Sequence, residues 1–144
     1  MNPLIRKMTI ADALQVHALG SQVEEFRPVR ESEHCFWPKE TLEAIAEKEI
    51  AYVIEDQKEI VGFLIATYQT TTLKMTWENM YVKPEYRGGK ITHQCWALAE
   101  QEARNRGATY LCVMVEESNI PSQKTLQREG FTKGKNHIWM EKAL

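Results

Sequence analysis

A strand-like run from Leu73 to Val82 ends at Pro84, passes through Arg87-Gly88-Gly89 and opens directly into a long amphipathic helix. A second strand-like run, Thr109 to Val115, follows that helix after Gly107. Strand, helix and strand in this order close as a β-α-β unit with a parallel pair and a right-handed crossover. The chemistry concentrates at the turn into the helix. The first backbone N–H groups of a helix have no internal partner, and its dipole places about half a positive charge there. A glycine-rich turn at that end builds an anion site. Arg87 adds a rigid fork of donors, although as a turn residue it could also leave its charge in water. A ligand carrying phosphates is expected to dock here.

The remaining segments supply more strands and helices. Leu4 to Lys7 predicts a short strand, and Thr9 with Asp12 has the spacing of a helix start. Ile10, Ala13, Leu14 and His17 recur at helical spacing, with Gly20 as the stop. A polar loop, Ser21 to Phe36, precedes a second helix that begins at Pro38 and turns Leu42, Ile45 and Ala46 inward. Ile50 to Glu55 and Ile60 to Gln69 read as strands joined by the turn Asp56-Gln57-Lys58-Glu59. The helix from Gly89 to Arg106 presents Ile91, Cys95, Leu98, Ala99 and Ala103 on one face. Thr109 to Val115 is almost wholly apolar, as expected of a strand covered on both faces. A short helix from Pro121 to Gly130 follows, then a closing hairpin of Phe131 to Lys135 and Ile138 to Ala143. The resulting order is β-α-α-β-β-β-α-β-α-β-β.

A chain of 144 residues suits one domain, residues 1–144, with 43% hydrophobic and 26% charged residues as in ordinary globular proteins. A net charge of −2 gives no electrostatic case for nucleic acid or an anionic membrane. The longest nearly unbroken apolar run, Ile60 to Tyr68, falls far short of the roughly 20 residues that span a bilayer. No apolar stretch follows Arg6 and Lys7, so no secretory signal is expected. Cys35, Cys95 and Cys112 show no paired spacing, which suits a reduced, cytoplasmic protein. His34 and Cys35 have no second pair at metal-ligand spacing, so no metal is expected.

Three segments carry a family resemblance. Val82 to Thr92, V-K-P-E-Y-R-G-G-K-I-T, is similar to the V-x-P-x-Y-R-G-x-G-x-G/A loop of the GNAT superfamily, the acyl-CoA-dependent N-acetyltransferases. Asn119 to Phe131, N-I-P-S-Q-K-T-L-Q-R-E-G-F, resembles that family's N-x-x-A/S-x-x-L-Y-x-x-x-G-F. Trp77 to Val82, W-E-N-M-Y-V, resembles the L-E-D strand of its polyamine-type members. The resemblance implies an α/β (α+β) three-layer domain with a central mixed, twisted sheet and helices on both faces.

The resemblance also implies roles. Arg87, Gly88, Gly89, Lys90, Ile91 and Thr92 would wrap the pyrophosphate of acetyl-CoA. Backbone groups of Met80, Tyr81 and Val82 would bind the thioester carbonyl and the pantetheine amide, with Asn119 and Ser122 on the pantetheine arm. Asn119 is equally a helix cap. Glu78 would act as general base through an ordered water, sharing a strand face with Thr76 and Met80; its plain alternative is a solvated or paired strand carboxylate. Lys90 and Thr92 stand where the family uses small residues, and Gln127 stands where it commonly has a Tyr acid. Gln127 could only hydrogen-bond a leaving thiolate.

The expected activity is transfer of an acetyl group from acetyl-CoA to a primary amine of a small molecule or a peptide, by direct attack in a ternary complex. The alternative is a weakened relative that binds coenzyme A, or a partner protein, without turnover. Acyl transfer through Cys35 is a third reading, with nothing nearby in sequence to activate the thiol. The loop Ser21 to Phe36, with Glu24, Glu25, Glu31 and Glu33 against Arg27 and Arg30, is the expected wall of the acceptor site. Oligomeric state stays open; a homodimer through the terminal strands, Phe131 to Ala143, follows only by analogy. Trp77, Tyr81 and Trp96 read as core, and His17 and His93 as packing or solvated residues.

Overall fold

The computed structural model describes residues 2–26 and 36–142. Their contacts group into two units, Met1–Val113 and Met114–Leu144. The larger unit holds β1 (Leu4–Lys7), α1 (Ala13–Gly20), α2 (Lys39–Lys48), β2 (Ile50–Asp56), β3 (Glu59–Gln69), β4 (Lys74–Val82), α3 (Lys90–Asn105) and β5 (Tyr110–Val113). The strands lie side by side in chain order. Every pair is antiparallel except β4 with β5, the parallel pair that brackets α3.

Local chemistry sets most boundaries. The Asp12 carboxylate accepts the Thr9 N–H at 2.8 Å and starts the turn into α1. Gln57 and Lys58 both adopt positive φ, 51° and 69°, which is the two-residue hairpin geometry that suits twisted strands. Gly107, at φ +95°, ends α3 and lets the Ala108 N–H return to the Ala103 carbonyl at 2.9 Å.

Strand alternation sorts the core onto two faces of the sheet. Ala51, Val53, Phe63 and Ile65 pack with Val16 of α1 and with Leu42 and Ile45 of α2. Ile54, Val61 and Val82 face the other way, with Met80, Tyr86 and Ile91 beside them. On that same face Tyr52 donates to Glu102 of α3 at 2.8 Å, and Trp96 of α3 meets Trp77 edge-on at 4.6 Å. Helices therefore cover both faces, as expected, and Trp77 and Trp96 are core residues.

Several expectations need correction. The buried residues of α1 are Ala13, Val16 and Gly20, whereas Ile10 and Leu14 are exposed. A turn of 3-10 helix at Ile10–Asp12 winds more tightly than an α-helix, so a pattern counted from Ile10 slips out of phase. Gly20 does more than stop the helix: a Cβ there would lie 2.2 Å from the Phe36 ring. Among the described residues β5 is not covered on both faces: Tyr110 is 60% exposed, and Leu111, Cys112 and Val113 are only half-buried.

The smaller unit, Met114–Leu144, holds α4 (Ile120–Arg128) and the segments on either side of it. Asn119 caps α4 by accepting the Ser122 N–H at 3.2 Å, and Gly130, at φ +95°, ends it. The closing hairpin does not form among the described residues: 131–142 hold no strand. Alternation marks a face but not a partner, and Ile138 and Met140 stand 89% and 87% exposed with no ladder to hold them.

Candidate functional site

The site begins where β4 loses a neighbour. Its ladder with β5 runs only from Lys74–Tyr110 to Trp77–Val113. Its ladder with β3 continues to Val82. Among the described residues, Asn79 to Val82 therefore pair with β3 alone, and Glu78 with neither neighbour. Parallel strands that part in this way leave fixed backbone donors and acceptors along the opened edge.

Within that stretch the register shifts. Ile65 pairs with Asn79, and the next residue, Ala66, pairs with Trp77, so Glu78 is the extra residue of a bulge. The bulge overturns the simple alternation. Met80 packs in the cluster of Ile54, Val61 and Val82, beside α3. Glu78 turns the other way and accepts the Thr67 hydroxyl at 2.5 Å. Thr67 pairs with Thr76 and lies two residues beyond Ile65, on the α1 and α2 face. Glu78 thus shares a face with Thr76, as expected, but not with Met80. A bulge carries no marker in this sequence.

The chain then turns through Pro84–Tyr86 toward α3. The Tyr86 hydroxyl donates to the buried Asp56 carboxylate at 2.9 Å, which raises it above the usual phenol range and pins the turn to β2. Arg87 donates through Nε to the Val82 carbonyl at 2.7 Å, and its guanidinium lies 5.4 Å from the centre of the Tyr81 ring. Its side chain is therefore anchored to the strand end rather than free in water. Gly88 has φ +80°, which an L side chain rarely adopts, and a Cβ there would meet nothing within 4 Å. Gly89 is the N-cap residue of α3 and offers no side chain to the unpaired N–H groups behind it.

Lys90, Ile91 and Thr92 form the first turn of α3, and none of them has a positive φ. Ile91 packs inward against the cluster of Ile54, Val61 and Val82, which fixes the orientation of that turn. Backbone N–H groups here can hold an anion through the helix dipole and direct hydrogen bonds. The contrast with α4 is instructive, since α4 satisfies its own first turn with the Asn119 side chain.

The structure thus gathers Glu78, Met80, Tyr81, Val82 and Arg87 to Thr92 along one continuous path in the larger unit. Asn119, Ser122 and Gln127 belong to α4 in the smaller unit. Asn119 acts as a cap, the Ser122 N–H is spent on it, and Gln127 is exposed. Of the expected acceptor wall, Glu24 and Glu25 sit in a short 3-10 turn. Arg27, Arg30, Glu31, Glu33, His34 and Cys35 lie outside the described residues.

Two contacts beside the site were not anticipated from sequence. The Trp37 indole N–H donates to Asn79 Oδ1 at 2.8 Å. His17 Nδ1 lies 2.8 Å from the Trp37 carbonyl oxygen, which makes Nδ1 the protonated ring nitrogen. An open apolar recess lined by Pro3, Leu4, Ile5, Ile91, Gln94 and Leu98 shares only Ile91 with the site. Among the described residues no cluster could hold a metal ion, and no helix is long and apolar enough to cross a membrane.

Comparison with known families gives a match, described as Acetyltransferase (GNAT) family, over residues 16–131. The chain belongs to the GNAT acetyltransferase family. It carries that family's N-acetyltransferase domain, with the opened strand, glycine turn and long helix as its core. No curated protein sequence matches this GNAT chain. Solved structures agree in fold. The PaiA N-acetyltransferase of Thermoplasma acidophilum, in complex with coenzyme A, is 19% identical with a TM-score of 0.79, covering 95% of this chain and 94% of its own. The aminoglycoside N-acetyltransferase AAC(6')-Iy, bound to a bisubstrate analogue, is 18% identical with a TM-score of 0.76 and full coverage of both chains. A ribosomal-protein-alanine N-acetyltransferase from Brucella melitensis is 14% identical with a TM-score of 0.70, over 99% of this chain and 100% of its own.

Proposed function

We propose that this chain transfers an acetyl group from acetyl-CoA to a primary amine by direct attack, and that the matched span, which runs across both units, works as one domain. The observation that carries this reading is the opened edge of β4, Glu78 to Val82, running straight into the uncapped first turn of α3. The helix start suits the pyrophosphate, and the opened edge suits the amides of a pantetheine arm. Gly88 and Gly89 leave room for backbone to approach a phosphate closely. Neighbouring structures that contain coenzyme A support the same donor.

The acceptor amine must be neutral to attack, yet alkylamines are largely protonated at neutral pH. Glu78 is the assigned base, acting through a water, with the Thr67 hydroxyl fixing one of its oxygens. Attack of the amine nitrogen on the thioester carbon forms the C–N bond. Collapse then breaks the C–S bond, and the proton leaves by way of Glu78. Backbone N–H groups along the opened edge stabilise the negative oxygen as it develops. Binding both reactants together supplies a large further part of the rate.

The first test is a thermal shift with acetyl-CoA, coenzyme A and adenosine 3′,5′-bisphosphate. At about a hundred times its dissociation constant, a ligand should stabilise the fold by roughly 2.7 kcal/mol. No shift with any of the three sinks the proposal. Initial rates over a grid of acetyl-CoA and amine concentrations then separate the mechanisms. Intersecting lines support the ternary complex, and parallel lines overturn direct attack. Gln127, with no ionisable proton, favours a second reading, a coenzyme A binder with weak turnover. A large rate gain in Gln127→Tyr supports that reading, and no change means that this position takes no part in the reaction.

A further inference from the structure

We propose that Asn79, held by Trp37, selects acceptors that carry a hydrogen-bond-accepting oxygen close to the reactive amine. This inference rests on the acetyltransferase reading above. It starts from the bulge in β4. Without it, Glu78 and Asn79 would point to opposite faces of the sheet. The register shift sends both to the α1 and α2 face, Glu78 onto Thr67 and Asn79 onto Trp37. A carboxylate and a carboxamide thus stand side by side at the start of the opened edge.

The orientation of the carboxamide is set by its neighbours. Trp37 Nε1–H donates to Asn79 Oδ1, so that oxygen is engaged and the Nδ2–H donors turn away from the indole. The Trp37 backbone is itself held by His17 on α1. Trp37 is 37% exposed and Asn79 is half-buried, so the pair borders open space rather than the core. Glu78 suits an ammonium, and a fixed N–H donor beside it suits a carbonyl or hydroxyl oxygen on the adjacent carbon. Two sources share that chemistry: the α-amino amide of a peptide N-terminus, and the amino alcohol of an aminated sugar. A fixed donor rejects an analogue that lacks the oxygen, because the donor is then left unpaired.

The test compares glycinamide, ethanolamine and n-propylamine by chemical-shift titration of the protein loaded with coenzyme A, following the Trp37 indole N–H and Asn79 amide signals. Glycinamide or ethanolamine is expected to bind about tenfold more tightly than n-propylamine, the worth of one good hydrogen bond. Whichever of the two binds better identifies the source. Asn79→Leu is expected to erase the preference. Asn79→Asp, which keeps the acceptor for Trp37 but removes the Nδ2 donors, is expected to erase it as well. Equal affinity for all three amines in the wild-type protein overturns the inference, as does a preference that survives both variants. A preference seen without any turnover supports the Asn79 assignment and counts against the acetyltransferase reading. Turnover of all three with equal KM does the reverse.

Discussion

Two residues invite contrasting tests, one of the proposed chemistry and one of packing. Glu78 bonds Thr67 from the bulge, and a glutamine in its place would still accept that hydroxyl. Glu78→Gln is therefore expected to fold normally and keep its thermal shift with coenzyme A. Its kcat should fall by about two to three orders of magnitude at neutral pH. Measured against pH, the loss should shrink as the acceptor amine begins to deprotonate unaided. A steady deficit at all pH values would deny Glu78 the role of base. Gly20 serves packing alone. The Phe36 ring that lies over it also stacks on Phe26 and meets Phe63, both at 5.5 Å, so it has little freedom to retreat. Gly20→Ala is expected to lose about 1–3 kcal/mol in urea denaturation, although alanine is the better helix former.

At the scale of elements, the β2–β3 hairpin and α3 offer two measurements. Lys58 holds φ 69° in a turn position that favours glycine. Lys58→Gly is expected to stabilise the protein by about 0.5–1 kcal/mol, read from the urea midpoint. In α3, burial pushes the Cys95 thiol up to about 12, so at pH 8 it is almost wholly protonated. Maleimide at that pH is expected to spare Cys95 in the native protein and label it after unfolding, while the half-buried Cys112 reacts before Cys95. Element order was largely legible beforehand, because caps, turns and periodicity are local signals. The hairpin at Asp56 to Glu59 and the cap at Asn119 are both of that kind. The phase of α1 was not legible, because Phe36 and the 3-10 turn decide which side is buried.

At the largest scale, two carboxylates of the larger unit are held by several partners each, Asp12 by near neighbours and Glu102 by residues far along the chain. The Arg6 guanidinium, with help from the Thr9 N–H and hydroxyl, holds Asp12 below the usual carboxylate range against the opposing effect of its burial. Burial also works against the charged form of Glu102, but bonds from Lys7, Tyr52 and Arg106 outweigh it and keep that carboxyl low. Both groups bind protons more weakly folded than unfolded. Their contribution is thus complete above the unfolded value near 4 and is lost as pH falls through the lower folded values. Urea midpoints are expected to drop between about pH 5 and pH 2, and Arg6→Gln should flatten that drop. An unchanged slope in the variant would refute the role given to Asp12.

The sequence by itself determined the element order from Leu4 to Arg128, the parallel unit around α3 and the glycine turn at its start. Those rest on neighbours within a few residues. Only the tertiary structure decided which way Glu78 points, what holds Asn79 and that 131–142 form no strand. Each of these depends on register or on a partner far along the chain. Trp37 reaches Asn79 across 42 residues. A side-chain period of two repeats identically in every register, so strand alternation carries no information about a bulge or about the partner a face will meet.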